Sequence, residues 1–201
     1  MSRWNFKSRY FAQYGTALQP ATESMLYAAG ANPEELMENP ITRSIGYIPM
    51  SWTGYNGLTN HFQIGGGLNL RGYNGYLMPV NRNQNDQIYT YKGLSGWSVS
   101  YELESPEWFN LLHLKRLASA THFKTYLFSD FGMINQTTVQ LSPLMADAGA
   151  GIALSLFRWG PFNAIKPVTL RADFPIWLSR LPFEESNYFQ FRWLLGLART
   201  F

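Results

Sequence analysis

The chain contains no cysteine. Disulfide frameworks and thiolate metal sites are therefore excluded, and the composition suits an oxidising compartment in which free thiols are a liability. Charged residues are scarce, at 14% of 201, and the net charge of +3 is spread out with no dense Lys/Arg block. A nucleic-acid surface needs such a block, so nucleic acid is excluded as a partner. No run approaches the roughly 18 apolar residues of a transmembrane helix, and the stretch from Met1 to Lys7 does not read as the start of a signal peptide. An exported protein with this sequence is expected to carry further chain upstream.

Chemistry is equally thin. The three histidines, His61, His113 and His122, have no ligand spacing, and neither a G-x-S-x-G nor an H-E-x-x-H pattern occurs. Gly65, Gly66 and Gly67 are not followed by Lys-Ser/Thr, so they read as the bend of a strand rather than a phosphate loop. Asp130 and Glu102 read as solvated charges of an interior face, not as an acid–base pair. The expectation is a non-enzyme with no catalytic, cofactor-binding or metal residues and no cofactor.

What the chain does have is aromatic: Trp 7, Tyr 12 and Phe 14. Rings of this kind favour β-structure, and the residues alternate with period two in segment after segment. Trp4, Phe6, Tyr10, Ala12 and Tyr14 oppose Lys7, Arg9 and Gln13. Trp97, Val99, Tyr101 and Leu103 oppose Ser98, Ser100, Glu102 and Glu104. Between Phe123 and Met133, Lys124, Tyr126, Phe128, Asp130 and Gly132 share one face. Ala148, Ala150, Ile152, Leu154 and Leu156 mark a further strand. Leu170, Ala172, Phe174, Ile176 and Leu178 then oppose Thr169, Arg171 and Asp173. Finally Phe189, Phe191, Trp193, Leu195, Leu197 and Phe201 oppose Gln190, Arg192 and Gly196.

Residues 15–43 break the alternation and read as a long structured loop with two short helices, 22–30 and 33–38. Residues 45–50 read as a weak strand, 52–57 as a turn, and 106–120 as an amphipathic connection. From Asn60 the apolar residues Phe62, Ile64, Leu68 and Leu70 alternate with polar ones up to Arg71. A polar stretch follows, so Arg71 stands at the root of a long loop.

Strands of about ten residues with an apolar and a polar face match the requirements of a membrane-spanning barrel. The expected fold class is all-β: an antiparallel transmembrane β-barrel portion of seven to eight strands. A soluble β-sandwich binding module has two-faced strands as well and stands as an alternative.

Three motifs carry a family resemblance. Leu70-Arg71-Gly72-Tyr73 is similar to the arginine-glycine-aromatic tip of an inward-folded loop, and Phe128-Ser129-Asp130-Phe131-Gly132 to a strand motif of aromatic, x, Asp, x, Gly. Phe201, with Leu195, Gly196 and Leu197 before it, is similar to a terminal assembly signal. Together they resemble the carboxyl-terminal barrel part of the outer-membrane protein insertase/translocator superfamily, of bacterial surface antigen type. Five strands follow the Arg71 loop, as in that family.

The resemblance implies part of a sixteen-stranded barrel in the outer membrane of a Gram-negative bacterium, with residues 71–93 folded inward. It further implies outer-membrane lipid and a client or passenger protein as partners, with N-terminal domains of the same protein upstream. An upstream enzyme domain anchored by the barrel is the rival reading. Two readings of Arg71 stand: a solvated loop arginine, or an anchor that pairs with Asp130 while Tyr73 packs near Phe128 and Gly132 leaves room for the loop.

Overall fold

The computed structural model describes residues 3–16, 24–31, 33–38, 43, 61–73, 92–108, 120–135, 144–156, 168–181 and 186–196. In chain order the elements are β1 (Asn5–Gln13), β2 (Leu26–Tyr27), the short helix α1 (Pro33–Glu38), β3 (His61–Gln63), β4 (Lys92–Gly93), β5 (Ser95–Glu104), β6 (Thr121–Asn135), β7 (Met145–Leu156), β8 (Val168–Leu178) and β9 (Leu194–Gly196). Seven of the strands form one sheet in the order β1-β5-β6-β7-β8-β9-β3, and β2 pairs with β4 apart from it. The all-β class is as expected. The pairing is antiparallel except at the end, where β3 runs parallel to β9.

Alternation decides which side of this sheet is covered. Ser98, Ser100, Glu102, Asp130, Asp147, Arg171 and Asp173 are all buried on one face. On the other, Phe6, Tyr10, Trp97, Leu103, Leu127, Ile152 and Leu170 are exposed, Leu127 by 58% at the middle of β6 and Tyr10 by 70%. The sheet is thus polar inside and apolar outside, the reverse of what water favours.

The sheet also curls. Glu102 on β5 and Arg171 on β8 stand three strand steps apart in the order, which in a flat sheet is about 14 Å. Yet Arg171 Nη2 lies 2.8 Å from Glu102 Oε1. Only a strongly concave inner face brings them together.

Two expectations change here. Residues 25–30 of the helix expected over 22–30 are not helical: Leu26–Tyr27 forms β2 against Lys92–Gly93. Leu178 does not share the outward face of Leu170 and Ile176. Ala148 pairs with Trp177 but Gly149 with Pro175, leaving Ile176 as an extra residue in β8. Such a bulge shifts the alternation by one, so Leu178 turns inward and is fully buried. It also gives Pro175 a position where a missing N–H is tolerated.

The last strand is interrupted as well. Phe189 bridges to Trp177, and regular pairing resumes only at Leu194. Phe189 and Phe191 point outward and Arg192 inward as expected, but Gln190 is exposed rather than interior. The expected weak strand at 45–50, the turn at 52–57, most of the connection at 106–120, most of the loop at 71–93, and Leu197 and Phe201 lie outside the described residues.

Candidate functional site

The segment Ile64 to Tyr73 lies inside the curl of the sheet. Its apolar residues Ile64, Leu68 and Leu70 are buried, and so are its polar residues Asn69 and Arg71. A two-faced strand cannot bury both parities, and this stretch is not one: β3 stops at Gln63. Gly67 (φ 54°) and Asn69 (φ 53°) both adopt the left-handed region, which glycine and asparagine reach most readily. These two residues turn the chain inward, where the sequence reading had extended strand up to Arg71.

Neighbouring segments hold the turn. Glu35 of α1 accepts a hydrogen bond from the Gly67 amide at 2.7 Å, and Arg9 of β1 donates to the Gly67 carbonyl at 2.7 Å. A side chain at Gly66 would run into the Glu35 carboxylate. The Leu70 amide donates to the Ala28 carbonyl and the Ala31 amide to the Ile64 carbonyl, both at 2.8 Å. Leu26, Ala28, Leu68, Leu70, Tyr73, Ile134, Met145 and Leu178 form one apolar cluster. The 24–31 segment therefore covers the inward loop with both backbone and side chains.

At the tip of the loop, Arg71 is 1% exposed and Asp130 fully buried. Arg71 Nε donates to Asp130 Oδ2 at 2.7 Å and Nη2 to Asp130 Oδ1 at 2.8 Å, the bidentate fork that guanidinium geometry provides. Its Nη1 donates to Glu102 Oε1 at 2.5 Å and lies 3.4 Å from Asp173 Oδ1. The guanidinium carbon stands 3.8 Å above the Phe128 ring, a cation–π contact on its remaining face. Burial opposes the charge, but Asp130, Asp173 and Glu102 outweigh it and hold the Arg71 pKa well above its ordinary value.

A second arginine completes the network. Arg171 Nη2 donates to Glu102 at 2.8 Å and to Asp173 at 3.1 Å, and its Nε to the Tyr126 hydroxyl at 3.1 Å. Tyr126 in turn donates to Asp173 at 2.6 Å. The sequence reading does not anticipate Glu102 and Asp173 as partners of Arg71, nor Arg171 and Tyr126 as the groups that hold those carboxylates. The inward parity of Arg171 and Asp173 was the available signal, but parity on one strand does not say which strand a side chain meets across a curled sheet. Glu102 and Asp130 are not solvated charges; both are buried in these ion pairs.

Two glycines make the loop fit. At Gly72 a Cβ would collide with Leu178 and come within 2.7 Å of the Asp147 Cβ. At Gly132 it would lie 2.7 Å from the Trp97 carbonyl and 3.0 Å from Leu70 Cδ2. Tyr73 takes a different place from the one expected beside Phe128. Its ring joins the apolar cluster, and its hydroxyl lies 3.2 Å from the Ala146 carbonyl and 3.3 Å from Ser179 Oγ while accepting from the Arg180 amide. The Phe128 face is taken by Arg71. Leu195 and Gly196 belong to β9.

Among the described residues no group of three His, Cys, Asp or Glu is placed to hold a metal ion. What fold and site define together is a curled, mostly antiparallel sheet with an inward loop tied to its concave face by a buried arginine. No family model, curated protein or solved structure matches the chain.

Proposed function

We propose that this chain is the carboxyl-terminal part of an outer-membrane β-barrel that inserts or translocates other proteins and performs no chemistry of its own. The observation that carries the reading is the Arg71 loop, held inside the curl by carboxylates of three strands, Glu102 of β5, Asp130 of β6 and Asp173 of β8. The apolar outer face supports the membrane part of the reading, because lipid is the solvent that suits such a surface. On this reading the lipid touches Leu127, Leu170 and their neighbours, and the client protein meets the sheet where the loop sits.

The test is reconstitution of the full-length protein in bilayers with an unfolded outer-membrane barrel protein, supplied in urea, as client. Folding of the client is followed by its shift on a gel. Arg71→Ala and Asp130→Ala are expected to slow client folding to the rate of empty vesicles. Client folding at the wild-type rate in both variants, with the loop shown to be released, removes the reading.

A further inference from the structure

Among the described residues, Asp147 is the one carboxylate of the inner cluster that Arg71 and Arg171 leave without an ion pair. It is fully buried, and neither of its oxygens accepts a hydrogen bond. Asp130 is its direct cross-strand partner on β6, with the side chains on the same face. Side chains so placed have Cβ atoms about 4.5 to 5.5 Å apart, and like charges there destabilise the pair. On the other side, β8 offers only Leu178, its partner in register. Above it lies Gly72, so close that a Cβ there would stand 2.7 Å from the Asp147 Cβ and 3.1 Å from its carboxyl carbon. The charged or titratable groups acting on Asp147 are thus Asp130 of β6, and Arg71 and Tyr73 of the loop. Arg71 is already committed to Asp130 through both prongs of its fork.

We propose that Asp147 holds a proton and donates it in a hydrogen bond to the Asp130 carboxylate, and that this proton is what permits the loop to stay docked. Directly opposed across β6 and β7 on one face, the two carboxyl groups are within reach of a hydrogen bond to each other, which needs one to be protonated. With the proton in place, Asp147 is a neutral donor, Asp130 keeps its charge for Arg71, and Gly72 can lie against an uncharged group. Loss of the proton to water leaves two carboxylates face to face beneath the loop. The loop then leaves, taking Arg71 out of the fork and opening Asp147 to solvent. The inference requires the docked loop and not the transport reading.

The chain has no cysteine, so thiol labelling of Leu68→Cys in the full chain, folded in lipid, reports the loop alone. Leu68 is fully buried when the loop is docked. Labelling rates, each divided by the rate of the unfolded protein at the same pH, are measured up to about pH 9, where Tyr73 is still neutral. The ratio is expected to rise by up to about tenfold per pH unit above the point at which the proton leaves. With Asp147→Asn added it stays low and flat. Infrared spectra of the unsubstituted protein, which need no variant to fold, should show a protonated carboxyl band that disappears over the same pH range. Parallel pH curves with and without Asp147→Asn overturn the proposal, as does the absence of that band in the docked state. A ratio lowered by sodium or calcium ions at fixed pH assigns the position to a metal ion instead and equally overturns it.

Discussion

At the scale of single residues, Arg71 and Asp130 should behave as one unit. Removing either partner of a buried pair leaves the other charge uncompensated, at a cost of about 3 to 5 kcal/mol, against under about 1 for a solvated pair. Arg71→Ala and Asp130→Ala are each expected to fall in the higher range, and the double variant should cost much less than their sum. Unfolding in detergent across the four-member cycle measures this, and a coupling energy near zero would contradict the anchor. Tyr73 makes a second case. Burial pushes its hydroxyl up to about 12, against the opposing contact with Ser179, while an unfolded tyrosine titrates near 10. The neutral form is the one that folds, so its contribution of about 2 to 3 kcal/mol is complete below about pH 10 and is lost as pH climbs toward 12. Tyr73→Phe, compared on the Asp147→Asn background in which the loop stays docked at alkaline pH, should remove that alkaline loss, which denaturation midpoints taken across this range will show. The pairing of Arg71 with Asp130 was readable from the two motifs and from the inward parity of Asp130, whereas the strand parity expected for Arg71 does not exist, because the chain leaves the sheet at Gln63. Glu102 and Asp173 were not readable as its other partners, since the depth of the curl decides which strands face each other. Tyr73 was misplaced for a related reason: the 3-10 turn of Arg71–Tyr73 sends its ring toward Leu178 and away from Phe128.

At the scale of elements, the period-two pattern located β1, β5, β6, β7 and β8 to within a few residues, because each keeps its alternation over nine or more positions. It failed where one residue breaks the count. Ile176 is apolar like its neighbours, and nothing in its type marks it as the extra residue that reverses Leu178. Gly67 and Asn69 are residues that often turn a chain, but the apolar alternation around them resembles a strand equally well. The outward face of β6 yields a prediction. Leu127→Lys is expected to cost about 2 to 4 kcal/mol of folding stability in bilayers if the face meets hydrocarbon at mid-depth. If water covers that face, the change should stay within about 0.5 kcal/mol. Equilibrium folding into vesicles, with His122→Lys on the half-buried inward face near the start of β6 as the reference, separates the two outcomes.

At the scale of the molecule, the described sheet has β1 at one edge and β3 at the other. Unpaired strand edges have no place in hydrocarbon. If the sheet spans a membrane as proposed, the chain in detergent is expected to join these edges: to each other, to a second copy, or to strands beyond the described residues. Native mass measurement distinguishes a dimer from a monomer, and amide exchange on β1 and β3 tells whether a monomer has closed. Fast exchange on both edges of a stable monomer in lipid would count against any membrane-spanning role.

The placement of the Arg71 partners has a bearing on the order of assembly. Glu102, Asp130 and Asp173 are 31, 59 and 102 residues along the chain from Arg71, each on its own strand. No one of these strands offers the guanidinium a complete environment, and a buried cation with a missing partner is strongly unfavourable. The arginine works as a coincidence detector: it settles only when β5, β6 and β8 have reached their mutual register, and a slip of one residue in any of them turns its carboxylate to the far side of the sheet. A sheet assembled in the wrong register is therefore expected to leave Arg71 without its full set of carboxylates and the loop undocked.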